Sequence, residues 1–203
     1  MARLLLARHG NTRLNSTERF WGQTDVELGT DGIKQAEKLS YRLAAEKISI
    51  VYASPLRRTM TTAEIAASGH KLQIILCSEL SEINFGKVEG LTYGEINQLY
   101  PELTKSWYTN TQAFKYPGGE SIEEVYNRVK KFVQRLDSHT SEETILIVAH
   151  AGTLKMLVCN LLGLGLEHSR RIRIDLASLS IVETYPQVAI LSLLNDVSHL
   201  NRR

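Results

Sequence analysis

Two histidines stand where an apolar run gives way to a glycine-containing turn. Arg8-His9-Gly10-Asn11-Thr12 follows Leu4-Leu5-Leu6-Ala7, and His150-Ala151-Gly152-Thr153 follows Ile145-Leu146-Ile147-Val148. Each pattern puts an imidazole at a strand end. The first has a guanidinium beside it, and the second opens a helix whose free backbone N–H groups favour an anion. A further segment, Ser54-Pro55-Leu56-Arg57-Arg58-Thr59, starts a helix after another apolar run, so an arginine of its first turn can reach the cleft of Arg8. Glu82 adds a carboxyl group in a loop, Leu80-Ser81-Glu82-Ile83-Asn84-Phe85-Gly86. Imidazoles, forked cations and a carboxyl group suit nucleophilic and acid–base chemistry on a small oxyanion. Each residue also has a plainer reading on its own: a hydrogen-bonding histidine for His9, a solvated helix cation for Arg58, a surface carboxylate for Glu82, a helix cap for His150.

The elements that position these residues are legible as a β-α-β rhythm. Leu4 to Ala7, Ile50 to Tyr52, Leu72 to Leu76 and Ile145 to Val148 read as strands buried on both faces, as parallel strands are. Ile33, Ala36, Leu39 and Leu43 recur at helical spacing, as do Ile122, Val125, Val129, Phe132, Val133 and Leu136. Ser54 before Pro55 predicts a capped helix start, and Ser121 with Glu124 predicts a capping box. Ser178 to Thr184 and Val188 to Leu194 predict a closing hairpin around Pro186, and the tail Asn201-Arg202-Arg203 is expected to fray. The expectation is a single α/β domain over 1–203: a three-layer α/β/α sandwich with a mostly parallel central sheet, ligands gathering at the carboxyl ends of its strands. Residues 91–116 hold 6 of the 14 aromatics (Tyr93, Tyr100, Trp107, Tyr108, Phe114 and Tyr116), which predicts a small helical insertion, 91–119, over the active site.

Composition narrows the ligand. With 203 residues, 43% hydrophobic and 23% charged, the chain is expected to bury a sizeable core. Lys+Arg 24 against Asp+Glu 22 gives +2 with the signs interspersed, so no broad field holds a nucleic acid or an anionic membrane. No apolar run reaches the length of a membrane helix, and no signal segment is read at the N-terminus, so a cytoplasmic location is expected. Cys77 and Cys159 have no metal-ligand spacing and read as core thiols. The expected partner is a small phosphorylated metabolite, and the sequence leaves the assembly open, a homodimer being one option.

Taken together, the motifs resemble the histidine phosphatase superfamily, the phosphoglycerate mutase-like enzymes, over essentially the whole chain. The resemblance rests on Arg8 to Thr12 with Asn15; Gly22-Gln23-Thr24-Asp25 with Leu28, Gly32, Gln35 and Ala36; Ser54-Pro55-Leu56 with Arg58 and Thr62-Ala63; Glu82, Phe85-Gly86 and Glu89-Gly90; Pro117 to Ser121; and His150-Ala151-Gly152. The resemblance implies that His9 is the nucleophile that becomes phosphorylated and that Arg8, Arg58 and His150 hold the phosphoryl oxygens. It makes Glu82 the proton donor and adds Asn15, Gln23, Thr24, Ala151 and Gly152 as phosphate or substrate contacts. No cofactor or metal is implied. Asn11, Val88 and Ala151 depart from common family residues; they leave the chemistry intact and bear on the substrate.

Phosphoryl transfer spreads charge over three oxygens, which two arginines match. Those cations are expected to keep His9 neutral, while burial beside phosphate raises the Glu82 pKa for proton donation. Residues 91–119 offer Lys105 and Lys115 and no arginine for a substrate carboxylate, which favours a phosphatase over a mutase and predicts poor handling of phosphoglycerates. The appearance is closest to the α-ribazole phosphatase and broad-specificity branch, with α-ribazole 5′-phosphate as the expected substrate. Phosphoglycerate mutase and fructose-2,6-bisphosphatase are the alternatives on the same fold. A metal-dependent hydrolase with His9, His150 and Glu82 as ligands is disfavoured, because Arg8 and Arg58 repel a cation. A non-catalytic phospho-ligand sensor is disfavoured by the presence of His9 and Glu82.

Overall fold

Six strands form one mixed sheet in the computed structural model, which describes residues 2–109, 115–140 and 142–201. The strands are β1 (Arg3–Arg8), β2 (Ile48–Ala53), β3 (Ile74–Leu76), β4 (Thr144–Ala149), β5 (Leu179–Thr184) and β6 (Ala189–Asp196), in spatial order β3-β2-β4-β1-β5-β6. β1, β4, β2 and β3 pair in parallel, whereas β5 and β6 run antiparallel at the other side as the expected hairpin. The helices are α1 (Thr30–Leu43), α2 (Arg57–Ala66), α3 (Tyr93–Leu99), α4 (Pro101–Thr109), α5 (Ile122–Leu136) and α6 (Ala151–Leu161). They flank the sheet as a three-layer α/β/α sandwich. Leu5, Ala7, Val51 and Val148 point to the cluster shared with α1 and α2, while Leu4, Leu6, Ile145 and Ile147 point to the one shared with α5 and α6. That alternation explains why these strands read as continuous apolar runs: both faces are covered.

Several local expectations need correction. β3 is shorter than Leu72 to Leu76 and lies at the sheet edge, leaving Ile75 and Leu76 exposed instead of buried on both faces. In α1 the buried stripe is Gly32, Ala36, Leu39 and Leu43, and Ile33 is 40% exposed. Gly32 takes the inner position because a Cβ there would lie 2.0 Å from the Asn11 carbonyl oxygen, so the turn after β1 packs directly on the helix backbone. α2 starts at Arg57 with Leu56 as its N-cap and no side-chain cap; the Ser54 hydroxyl accepts only the Leu56 N–H there, at 3.4 Å, and its shorter bond is to His150. Ser121 and Glu124 do form both halves of a capping box on α5. Phe114, Arg202 and Arg203 lie outside the described residues, as does the Tyr108 side chain.

Candidate active site

β1, β2 and β4 end side by side, and their carboxyl ends deliver His9, Ser54 and His150. His9, Arg58 and His150 are nearly or fully buried, and Glu82 is 8% exposed. The two imidazole rings meet edge to face with centroids 5.1 Å apart. His9 Nδ1 lies 2.8 Å from the Gly10 carbonyl oxygen. A carbonyl only accepts, so Nδ1 carries the proton and Nε2 keeps its lone pair. Burial pushes the His9 pKa well below its ordinary value, with smaller contributions from Arg8 and then Arg58. The two arginines act in the expected direction, and desolvation adds the larger effect, because the buried ring has left water.

Arg58 is spent partly on the protein. Its Nε donates to His150 Nδ1 at 3.2 Å, its Nη1 to the Thr24 carbonyl at 2.8 Å and its Nη2 to the Gly22 carbonyl at 2.6 Å. One N–H on each Nη is left over from the five a guanidinium carries. Because His150 Nδ1 accepts from Arg58, its Nε2 is the protonated nitrogen and donates to Ser54 Oγ at 2.9 Å. Both nitrogens of His150 are thus engaged within the protein here, and burial followed by Arg58 drives its pKa well below the ordinary value. Arg8 donates from Nη1 to the Ile174 carbonyl at 2.8 Å, while its buried Nε has no partner among the described residues. An orphaned guanidinium N–H at a cavity wall is a donor awaiting an anion. Burial lowers the pKa of both guanidiniums, and Glu82 is the strongest influence in the opposite direction.

Glu82 lies against the start of α6. Its Oε2 accepts the Gly152 N–H at 3.1 Å, and its Oε1 accepts those of Thr153 at 3.2 Å and Ile83 at 3.0 Å. A Cβ at residue 152 would sit 2.6 Å from Glu82 Oε1, so only glycine admits the carboxylate this close. The Gly152 N–H, expected to face phosphate, is therefore given to Glu82; Ala151 and Gly152 both line the cavity. The Glu82 loop is clamped from α5: Arg128 Nη1 donates to the Glu79 and Ser81 carbonyls at 2.7 and 2.9 Å, and Arg128 forks onto Glu120 at 2.9 and 3.0 Å. Gln23 and Thr24, expected among the phosphate contacts, are occupied otherwise. Both backbone N–H groups and the Thr24 hydroxyl donate to Glu89, and Gln23 Nε2 donates to the Glu82 carbonyl at 3.2 Å. Their loop holds Arg58 in place. Asn15 does line the cavity, its Oδ1 taken by Thr12, which leaves the amide N–H groups as donors.

The cavity in front of Arg8 and Glu82 has a volume of about 570 Å³. Phe20, Phe85, Trp107 and Tyr116 form one wall, with Phe20 stacked on Trp107 at 5.3 Å and Phe85 edge-on to Tyr116 at 4.9 Å. Of the insertion's cations, Lys115 pairs with Glu124 at 2.6 Å and Lys105 with Glu102 at 3.8 Å, and neither lines this cavity. Lys155 and Arg170 line it instead. Sequence reasoning missed both, although Lys155 stands four residues after Ala151 and so shares its helix face. The donor set does not suit a metal: His9 Nδ1, both nitrogens of His150 and both oxygens of Glu82 are committed to protein groups, with two guanidiniums alongside.

Neutral burial of both histidines predicts a pH-dependent stability. Unfolded, each ring titrates near its ordinary value of about 6.5, so the unfolded chain takes up protons first as pH falls. Stability is then full above about pH 6.5 and declines below it, by up to about 1.4 kcal/mol per pH unit for each ring. Urea midpoints between pH 7.5 and 5.5 test this, and His9→Asn should flatten the decline. A midpoint constant over that range contradicts neutral burial.

The site geometry and the family comparison agree. Residues 4–197 match the model of the histidine phosphatase superfamily (branch 1), and the chain belongs to that superfamily. It is thus an enzyme acting through a phosphohistidine on small phosphorylated metabolites. It is 32% identical over 200 residues to phosphoserine phosphatase 1 of Hydrogenobacter thermophilus, covering 98% of this chain and 95% of that one. It is 30% identical over 194 residues to the adenosylcobalamin/alpha-ribazole phosphatase of Escherichia coli K12, covering 96% of each. The crystal structure of the alpha-ribazole phosphatase from Shigella flexneri superposes with a TM-score of 0.89 at 30% identity, covering 96% of each chain. No helix among the described residues is long and apolar enough to cross a membrane.

Proposed function

We propose that the chain hydrolyses phosphomonoesters in two in-line displacements, with His9 as nucleophile, Arg8 and Arg58 on the phosphoryl oxygens and Glu82 as acid and then base. In the first step His9 Nε2 forms a bond to phosphorus as the ester P–O bond breaks, and Glu82 gives its proton to the departing alkoxide. In the second, Glu82 takes a proton from water, the hydroxyl oxygen attacks phosphorus, the P–N bond breaks and inorganic phosphate leaves. The observation that carries this reading is the buried, neutral His9 with a free Nε2, in the same cluster as an unpartnered Arg8 N–H. His150, bridging Arg58 and Ser54, orients that guanidinium and contributes a phosphoryl contact if its ring nitrogen exchanges Ser54 for the ligand. Residues 1–203 act as one catalytic domain, with 91–119 over the cleft.

The aromatic wall supports a leaving group with a planar or apolar surface. α-Ribazole 5′-phosphate, a nucleotide-like monoester, is the proposed test substrate, and the names of the E. coli and S. flexneri relatives support the choice. Hydrolysis is expected to exceed mutase activity, because the cavity that Arg8 and Glu82 line also has exposed residues such as Asn15, Glu18 and Arg19 in its wall, which leave it open to water. Among the described residues, 91–119 supply no cation to the cavity, but Lys155 and Arg170 line it from elsewhere in the chain, so the make-up of that segment alone does not disfavour a mutase. Side-by-side assays decide the point: phosphate release from α-ribazole 5′-phosphate or another monoester should outpace interconversion of 3- and 2-phosphoglycerate. The reverse order would make the chain a mutase while leaving the His9 chemistry in place. Activity should persist in chelator.

A further inference from the structure

Arg128 stands on α5 but is spent on a segment distant from it in sequence. Its Nη1 donates to the carbonyls of Glu79 and Ser81, and its Nε and Nη2 fork onto Glu120. Four of the five guanidinium N–H groups are thus used. Glu120 works on the far side of Glu82: its Oε2 also accepts the Asn84 N–H at 2.9 Å, and its own N–H donates to the Asn84 carbonyl at 2.9 Å. Gly119 permits this approach, since a Cβ there would lie 2.2 Å from the Asn84 carbonyl oxygen. The buried Thr153 hydroxyl on α6 adds a second donor to the Ser81 carbonyl at 2.7 Å. One ion pair therefore fixes the backbone before Glu82 at Ser81 and after it at Asn84.

Attachment of the loop does not need this pair. Leu80 and Ile83, on either side of Glu82, are buried and already tie the segment to the core. Apolar burial is non-directional, however, whereas a forked guanidinium with fixed donors sets the orientation of the peptides it holds. A carboxyl group that must meet a departing oxygen depends on that orientation. We infer that Arg128 and Glu120 are positioning residues for the proton donor, setting the reach of the Glu82 carboxyl group toward the ester oxygen. Neither lines the cavity, so both act through Glu82 and not on substrate. This inference rests on the phosphomonoesterase reading above, with Glu82 as acid, and adds the residues that aim it. Losing the pair shifts the loop without releasing it, because Leu80 and Ile83 stay buried.

Leaving-group dependence tests the assignment through kcat/KM, which reports the steps up to phosphohistidine formation for every ester. Arg128→Gln should lower kcat/KM on alkyl phosphates by about 10- to 100-fold, the scale on which a displaced catalytic group loses rate. Activated aryl phosphates, whose leaving groups depart without a proton, should lose much less. Glu120→Gln keeps the shape of its side chain and should show the same selectivity; it carries the test if Arg128→Gln does not fold. In a Glu82→Gln background, either change should cost alkyl esters little more, because the group being positioned is gone. Where Glu82→Gln is itself selective, the positioning role alone is overturned by equal losses on both ester classes, by no loss, or by losses that multiply with that of Glu82→Gln. A Glu82→Gln loss equal on both classes overturns the acid assignment on which the inference rests.

Discussion

Replacing His9 with alanine is expected to lower kcat by on the order of 10⁶-fold, the scale on which enzymes lose activity when a covalent nucleophile is removed. The expectation follows from how little else in the site can attack phosphorus. His150 commits both ring nitrogens, one to Arg58 and the other to Ser54. Burial raises the thiol pKa of both Cys77 and Cys159, which keeps them protonated and weakly nucleophilic near neutral pH. His9 alone combines a free Nε2 with a pKa held down by burial, so it is unprotonated throughout the neutral range. The variant should stay folded, since the ring makes a single hydrogen bond to its neighbouring Gly10. Substrate binding through Arg8 and Arg58 should survive, which an equilibrium binding measurement checks. A variant retaining more than about one-hundredth of the parent kcat would move the nucleophile elsewhere.

Glu82→Gln should have the next largest effect, and its size should depend on the leaving group. For alkyl esters the loss should be about 10²- to 10⁴-fold, the usual contribution of general acid–base catalysis. Activated aryl phosphates should lose less in the first step, because their phenolates depart without a proton. Glutamine also changes the hydrogen bonding: one oxygen that now accepts N–H groups from α6 and Ile83 becomes an NH₂. A merely structural role for Glu82 would lower both substrate classes equally, so the ratio of the two losses is the informative quantity.

The chemistry was legible in the sequence because strand ends and helix starts concentrate it in short motifs. His9, Arg58 and His150 each follow an apolar run, and the parallel order β2-β4-β1 brings those three ends together. What stayed hidden are long-range partners. Ser54 read as a helix cap, yet its hydroxyl serves His150, which is 96 residues away. Glu89 carries no local mark of its use, which is to hold Gln23 and Thr24 so that their loop can hold Arg58. Arg128 and Glu120 likewise look like ordinary surface charges until α5 is laid beside the Glu82 loop. Within the aromatic segment, Tyr116 is buried in the core and, with Trp107, also lines the cavity. β3 misled because an apolar run does not reveal whether its strand is central or at an edge.

The central claim is a phosphoryl group carried on His9, and one measurement meets it directly. Enzyme mixed with a labelled, activated aryl phosphate and quenched in alkali should yield a single labelled peptide containing His9, stable in base and released by acid. Label on a serine or cysteine, or full labelling of His9→Ala, would contradict it.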